Sequence, residues 1–185
     1  MSYVVATIVE GHGEVDAVPV LVRRLHPLLV VPRPLRVKRH RIIHPTEIER
    51  YAWIAESNIR QVEGRGGLLV VLDADDDCAA DVGPTLQRQF ASVLSHRMVR
   101  VVLAVREFES WLVAGDETSR EVADEERGGK NWLKDRLGRY SPTVDQPRLC
   151  AELDLARAER ASRSFRRMLK AVSELVADAG LTIES

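Results

Sequence analysis

The sequence predicts an α/β fold: a mostly parallel, four-stranded sheet flanked by helices, with a helical C-terminal extension. Three observations carry this. Strand-like runs and amphipathic helical stretches alternate four times within residues 1–114. Tyr3–Val9 and Leu68–Leu72 are short apolar runs that read as buried strands. Residues 115–185 show helical spacing and no strand signal.

Each element follows from local chemistry. YVVATIV, residues 3–9, is a β-branched strand broken by Gly11 and Gly13. Glu14–Val30 places Val15, Val18, Leu21, Val22 and Leu25 at helical spacing, and Pro32 and Pro34 stop it. Leu35–Ile43 reads as a second strand with a half-exposed face, and Pro45-Thr46-Glu47 opens a helix to about Val62. Leu68–Leu72 is the third strand, Gly83–His96 a helix, and Val99–Val105 the fourth strand, with a helix starting at Glu107. Asp116–Gly129 reads as an acidic loop or lid, Asn131–Leu137 as a helix, Tyr140-Ser141-Pro142 as a turn and Arg160–Ala179 as a helix. The expected division is an α/β domain at 1–114 and an extension at 115–185 packed on it.

At 185 residues, 45% apolar and 30% charged, the balance is that of one soluble globular domain with a modest addition. A net charge of −1 points to no partner class. No apolar run approaches the ~20 residues that span a membrane, and MSYVVATIVEGHG lacks the basic start of a signal peptide. Two cysteines, Cys78 and Cys150, have no metal spacing and suit a reducing cytoplasm, the expected location.

In open parallel α/β sheets, ligands bind beyond the carboxyl ends of the strands. Glu10 follows the first strand in EGHGE, Asp73 and Asp75 the third in DADDD, and Glu107 and Glu109 the fourth in REFES. Carboxylates gathered this way repel unless a cation lies among them, and hard divalent ions take such oxygen ligands. The expectation is a Mg²⁺ or Mn²⁺ site at the sheet edge. Asp76, Asp77 and Asp81 read as solvated loop acids, Glu14 equally as first-turn helix chemistry, and Trp111 as core. Glu107 also reads as a helix cap and Glu109 as surface. GHGEVD is neither a P-loop nor a dinucleotide fingerprint.

Together these residues resemble the Toprim fold, a Rossmann-like arrangement with Glu after the first strand and Asp-x-Asp after the third, here Glu10 and Asp73-Ala74-Asp75. The finer pattern is similar to a Toprim-like family called domain of unknown function 4276, through IVEGHGEVDAVPVLVRRL, VVLDADDD, REFESWLVA, YSPTVDQ and SRSFRRM. The resemblance implies a Mg²⁺- or Mn²⁺-dependent nuclease that hydrolyses phosphodiester bonds. It implies Glu10 as general acid/base or ligand, and Asp73 and Asp75 as ligands. Glu14, Glu107 and Glu109 are the candidates for a second metal, as in Toprim proteins of the overcoming-lysogenization-defect class. Such proteins often accompany ATPases in bacterial antiphage defence. This chain has no ATPase motif, so an ATPase encoded nearby is the implied partner. Superfamily topoisomerases use a tyrosine on another domain. Tyr140 is a poor substitute, so hydrolysis by activated water is expected.

Basic residues supply the remaining part. Arg36, Lys38, Arg39 and Arg41 fall in an acid-free stretch, and Arg163, Arg166 and Arg167 in a second basic cluster. Both suit contacts to a nucleic-acid backbone, DNA ahead of RNA. Two other classes stay open: a catalytically degenerate Toprim module that binds an ATPase partner or nucleic acid, and a small-phosphoester hydrolase.

Overall fold

The computed structural model describes residues 2–62, 64–119 and 128–181. Five strands form one parallel sheet: β1 (Tyr3–Val9), β2 (Leu29–Val30), β3 (Leu35–Arg36), β4 (Gly66–Asp73) and β5 (Val99–Ala104). The order is β2-β1-β4-β5. β2 pairs the start of β1 and β3 its end, so two short strands share one edge of β1. The helices are α1 (Glu14–Leu25), α2 (Arg39–Ile42), α3 (Pro45–Gln61), α4 (Ala79–Val93), α5 (Glu109–Ala114), α6 (Gly129–Leu137), α7 (Pro142–Glu152), α8 (Leu155–Ala161) and α9 (Arg163–Asp178).

Side chains alternate across a strand, and the core divides accordingly. Tyr3, Val5, Val9, Leu69, Val71, Val102 and Ala104 pack on one face with α1 and α5–α9. Val4, Ala6, Ile8, Leu68, Val70, Leu72 and Leu103 pack on the other with α3 and α4. β1 is buried throughout, which is why it reads as continuously apolar. Phe165 and Leu175 of α9 join the same apolar cluster as α1 and β1.

The α/β class and the mostly parallel, helix-flanked sheet are as expected and fit a Rossmann-like fold. Some boundaries differ. The first helix ends at Leu25, because Pro27 holds its C-cap His26 in an extended conformation, and Leu29–Val30 becomes a strand. The strand expected over 35–43 survives only as Leu35–Arg36. Val37 N–H makes its last rung, to Val9 O at 2.8 Å, and Arg39–Ile42 turns helical. The sheet therefore has five strands instead of four. The turn expected at 140–142 opens α7, with Pro142 in its first turn. The helix expected from Arg160 breaks at Ser162, whose Oγ accepts the Phe165 N–H at 3.0 Å and caps α9. Residues 120–127 of the expected acidic lid lie outside the described residues. Among the described residues no helix is long and apolar enough to cross a membrane.

Candidate functional site

All strands are parallel, so their carboxyl ends share one edge. β1 delivers Glu10 there, β4 delivers Asp73, and the turn after β5 delivers Glu107 and Glu109. Asp73 has the parity of Leu69 and Val71, so it faces the side of α1 and α5. Its Oδ1 accepts the Phe108 N–H at 2.7 Å, which fixes the carboxylate against the start of α5.

An inner group gathers around Asp73. Glu14, in the first turn of α1, is buried, and its Oε2 accepts the Glu10 N–H at 3.2 Å. Glu109 is buried at 1% exposure; its Oε1 accepts Tyr140 OH and Gln146 Nε2, each at 3.0 Å. Lys130, from α6, places Nζ 3.5 Å from Glu107 Oε2 and 3.8 Å from Glu109 Oε2. The Lys130 N–H also donates to Glu107 Oε1 at 3.2 Å. Two close approaches permit this crowding. A Cβ on Gly13 would overlap Gln146 and the Pro142 carbonyl, and one on Gly129 would lie 3.0 Å from Glu109 Cβ.

An outer group forms on the solvent side. Arg39 Nη1 donates to the Asp73 carbonyl and lies 3.5 Å from Asp75 Oδ2, and Nη2 pairs with Asp77. The Asp75 carboxylate is 66% exposed. Asp73 and Asp75 would share a face if the strand continued. It ends at Asp73, and Asp75 adopts φ +49°, which turns it out of the inner group.

Burial and mutual repulsion shape the electrostatics. Burial raises the Asp73 carboxyl well above the ordinary range, reinforced by Glu14 and Glu109. Burial lifts Glu14 to about 7 against the opposing backbone N–H groups of Gly11 and Glu10. Glu109 is raised by burial despite Lys130. Glu10 is raised by burial and then by Asp75, with Arg39 opposing. Burial pulls Lys130 down, but Glu109, Asp73 and Glu107 reverse this, so its pKa ends above that of an ordinary lysine.

The other expected residues are dispersed. Arg39 is 13% exposed and committed to the acidic loop. Arg166 donates to the Glu159 and Arg160 carbonyls, closing the end of α8. Lys38, Arg41 and Arg163 are exposed, and Arg36 is half-buried. Glu107 faces Lys130 instead of capping α5, and Glu109 is core-buried instead of surface. Tyr140 and Gln146, which hold Glu109, were not legible as site residues, because only the packing of α7 against α1 brings them there.

Carboxylate oxygens are the donor type that a hard divalent cation takes. Glu10 Oε2 and Glu109 Oε2 are buried oxygens without a hydrogen-bond partner among the described residues. The shell is not closed: among the described residues no three His, Cys, Asp or Glu side chains are grouped to hold a metal. Comparison with protein-family models, curated proteins and solved structures finds no match.

Proposed function

We propose that this protein is a Mg²⁺- or Mn²⁺-dependent nuclease of Toprim type. One observation carries the reading. Four carboxyl groups, Glu10, Glu14, Asp73 and Glu109, collect at the carboxyl edge of a parallel sheet with their pKa values raised. Carboxylates crowded this way repel one another, and a divalent cation beside Lys130 would relieve that repulsion.

Asp73 and Glu10 would hold the ion, with Glu14, Glu107 and Glu109 as the further donors; Asp75, turned toward Arg39, would join them only by leaving that pair. When bound, such an ion lowers the pKa of a water and polarises the phosphoryl oxygens. The remaining roles belong to the chain. The Phe108 N–H orients Asp73, Tyr140 and Gln146 orient Glu109, and Lys130 offers a cation to a phosphate entering the edge. Exposed Lys38, Arg41 and Arg163, with Arg36, position the backbone of DNA ahead of RNA. A separate ATPase and a role in antiphage defence complete the reading.

A second reading has its own support. With no closed ligand group among the described residues, Lys130 and Arg39 are themselves the counter-charges, as in a catalytically degenerate Toprim module that binds an ATPase or nucleic acid. Incubation of plasmid and single-stranded DNA with Mg²⁺ or Mn²⁺ separates the two. Cleavage abolished by chelation, by Asp73→Asn and by Asp75→Ala supports the nuclease. Equal cleavage by wild type and both variants rejects the site. Tight binding without cleavage supports the module.

A further inference from the structure

Among the described residues β5 is the free edge of the sheet and pairs only with β4. Its rungs fix which backbone groups face outward. Leu68 N–H donates to Met98 O and Ala74 N–H to Ala104 O, so even-numbered residues face β4. By alternation the odd-numbered residues present N–H and C=O to the open side.

Part of this edge is already covered. Gln87 Oε1 accepts the Val101 N–H at 3.1 Å, Ser164 Oγ accepts the Val105 N–H at 3.3 Å, and Arg100 donates to the Val99 carbonyl at 2.7 Å. Between these caps remain the Val101 C=O and both Leu103 groups, which meet no partner among the described residues. They line a cleft of about 420 Å³ between α4 and α9. Small α4 residues, Ala80, Gly83 and Pro84, keep it open, and α9 adds Arg167, Lys170 and Glu174. Arg100 is paired with Glu174, whereas Arg167 and Lys170 have no acidic partner among the described residues.

We propose that this cleft binds an extended, acidic segment of a partner protein, which adds to the sheet as a strand beside β5. Two features select that occupant. The open edge alternates acceptor, donor and acceptor, and a polypeptide backbone supplies both complements. A nucleic-acid backbone supplies acceptors, which the Val101 and Leu103 carbonyls would repel. A second copy pairing β5 with β5 would bring Arg167 and Lys170 against themselves. Carboxylates on alternate residues of an incoming strand instead meet the α9 cations.

The test uses the full chain and a short, end-blocked fluorescent peptide alternating valine and glutamate. Anisotropy should report binding, and hydrogen exchange should show new protection of the Leu103 amide. N-methylation of alternate peptide amides should abolish binding at unchanged charge. Arg167→Glu with Lys170→Glu, both at exposed positions, should weaken it by at least about tenfold while circular dichroism is unchanged. Equal binding of the N-methylated peptide overturns strand addition. So does absence of binding at millimolar peptide, or displacement of the peptide by oligothymidine at low micromolar concentration. Concentration-dependent dimerisation lost in the charge-reversed variant would assign the edge to a second copy and overturn the proposal.

Discussion

Asp75 and Arg106 are hydrogen-bonded across the exits of β4 and β5, Asp75 N–H to Arg106 O at 2.9 Å, and both are left-handed, at φ +49° and +68°. Among the described residues no other non-glycine has positive φ. The paired turns do opposite jobs. That at Asp75 swings its carboxylate out toward Arg39. That at Arg106 carries Glu107 and Glu109 back toward Asp73.

A side chain in this region costs about 1–2 kcal/mol, which glycine avoids at some cost in unfolded-state entropy. The ion pair of the Arg106 side chain with Asp76, at 3.1 Å, is largely exposed and worth little. Arg106→Gly should therefore stabilise the protein by about 0.5–1 kcal/mol. A lower melting temperature would show that the Arg106 side chain contributes more than its backbone strain costs.

Glu14 predicts a pH dependence. An acid whose pKa is higher folded than unfolded is harder to ionise in the folded state. Its penalty is absent below the unfolded value of 4.5, grows as pH rises, and is complete above about 7. Glu14→Gln keeps an oxygen for the Glu10 N–H and removes the charge. In metal-free buffer it should stabilise the protein by about 1–3 kcal/mol at alkaline pH and leave it unchanged near pH 4. Urea titrations at the two pH values measure this; an equal gain at both would place the effect elsewhere. Mg²⁺ should raise the wild-type melting temperature more at about pH 8 than at about pH 5.

Gly13 links packing to the site. A Cβ there would lie 2.7 Å from Gln146 Cδ and overlap the Pro142 carbonyl, so α7 must move. Gly13→Ala should cost about 1–3 kcal/mol and release Gln146 from Glu109. A crystal structure with the 3.0 Å Gln146–Glu109 contact intact would refute the coupling.

The sequence shows where acids gather at the sheet edge wherever chain-local chemistry determines position. Strand ends are legible from apolar runs, so the placement of Glu10, Asp73, Glu107 and Glu109 at the carboxyl edge of the sheet is readable. Asp75 shows the limit: the Asp-x-Asp spacing suggests one shared face, but the strand stops after its first member and the next rung is a left-handed turn. Lys130, Tyr140 and Gln146 reach the acids through α6 and α7, whose docking depends on contacts distant in sequence. Pro32 and Pro34 are readable as breaks and Pro27 is not, and the two-residue pairings on either side of Pro32 and Pro34 belong to β1's edge and carry no periodicity of their own.

Ser164 joins the far helix to the sheet. Its Oγ accepts Trp111 Nε1 at 2.9 Å and the Val105 N–H at 3.3 Å, and lies 3.1 Å from Ser162 Oγ. Trp111 is fully buried between Phe108 and Phe165. Ser164→Ala leaves two N–H groups without an acceptor and should cost about 1–3 kcal/mol. The same variant should shift Trp111 fluorescence. A loss within a few tenths of a kcal/mol would mean that water replaces the hydroxyl.

Glu56 governs the opposite end of the sheet. Its buried carboxylate accepts Arg97 Nε at 2.9 Å and Nη2 at 3.0 Å, Arg60 Nε at 2.7 Å, and lies 3.3 Å from His96 Nε2. Arg97 also donates to the Gly64 carbonyl at 2.6 Å, so one ion pair ties α3 to the entries of β4 and β5. The Arg97 hydrogen bonds lead in lowering Glu56 from 4.5 to about 2. A depressed folded pKa gives stability that is complete above about 4.5 and lost as pH falls toward about 2. Glu56→Gln should cost about 1–3 kcal/mol at neutral pH, because it leaves Arg97 without its charge partner. The gap from wild type should stay constant from neutral pH down to about pH 5 and narrow by about pH 3. Urea midpoints across that range decide the matter. A gap that does not narrow would mean that Glu56 acts through shape and neutral hydrogen bonds, with its charge contributing nothing.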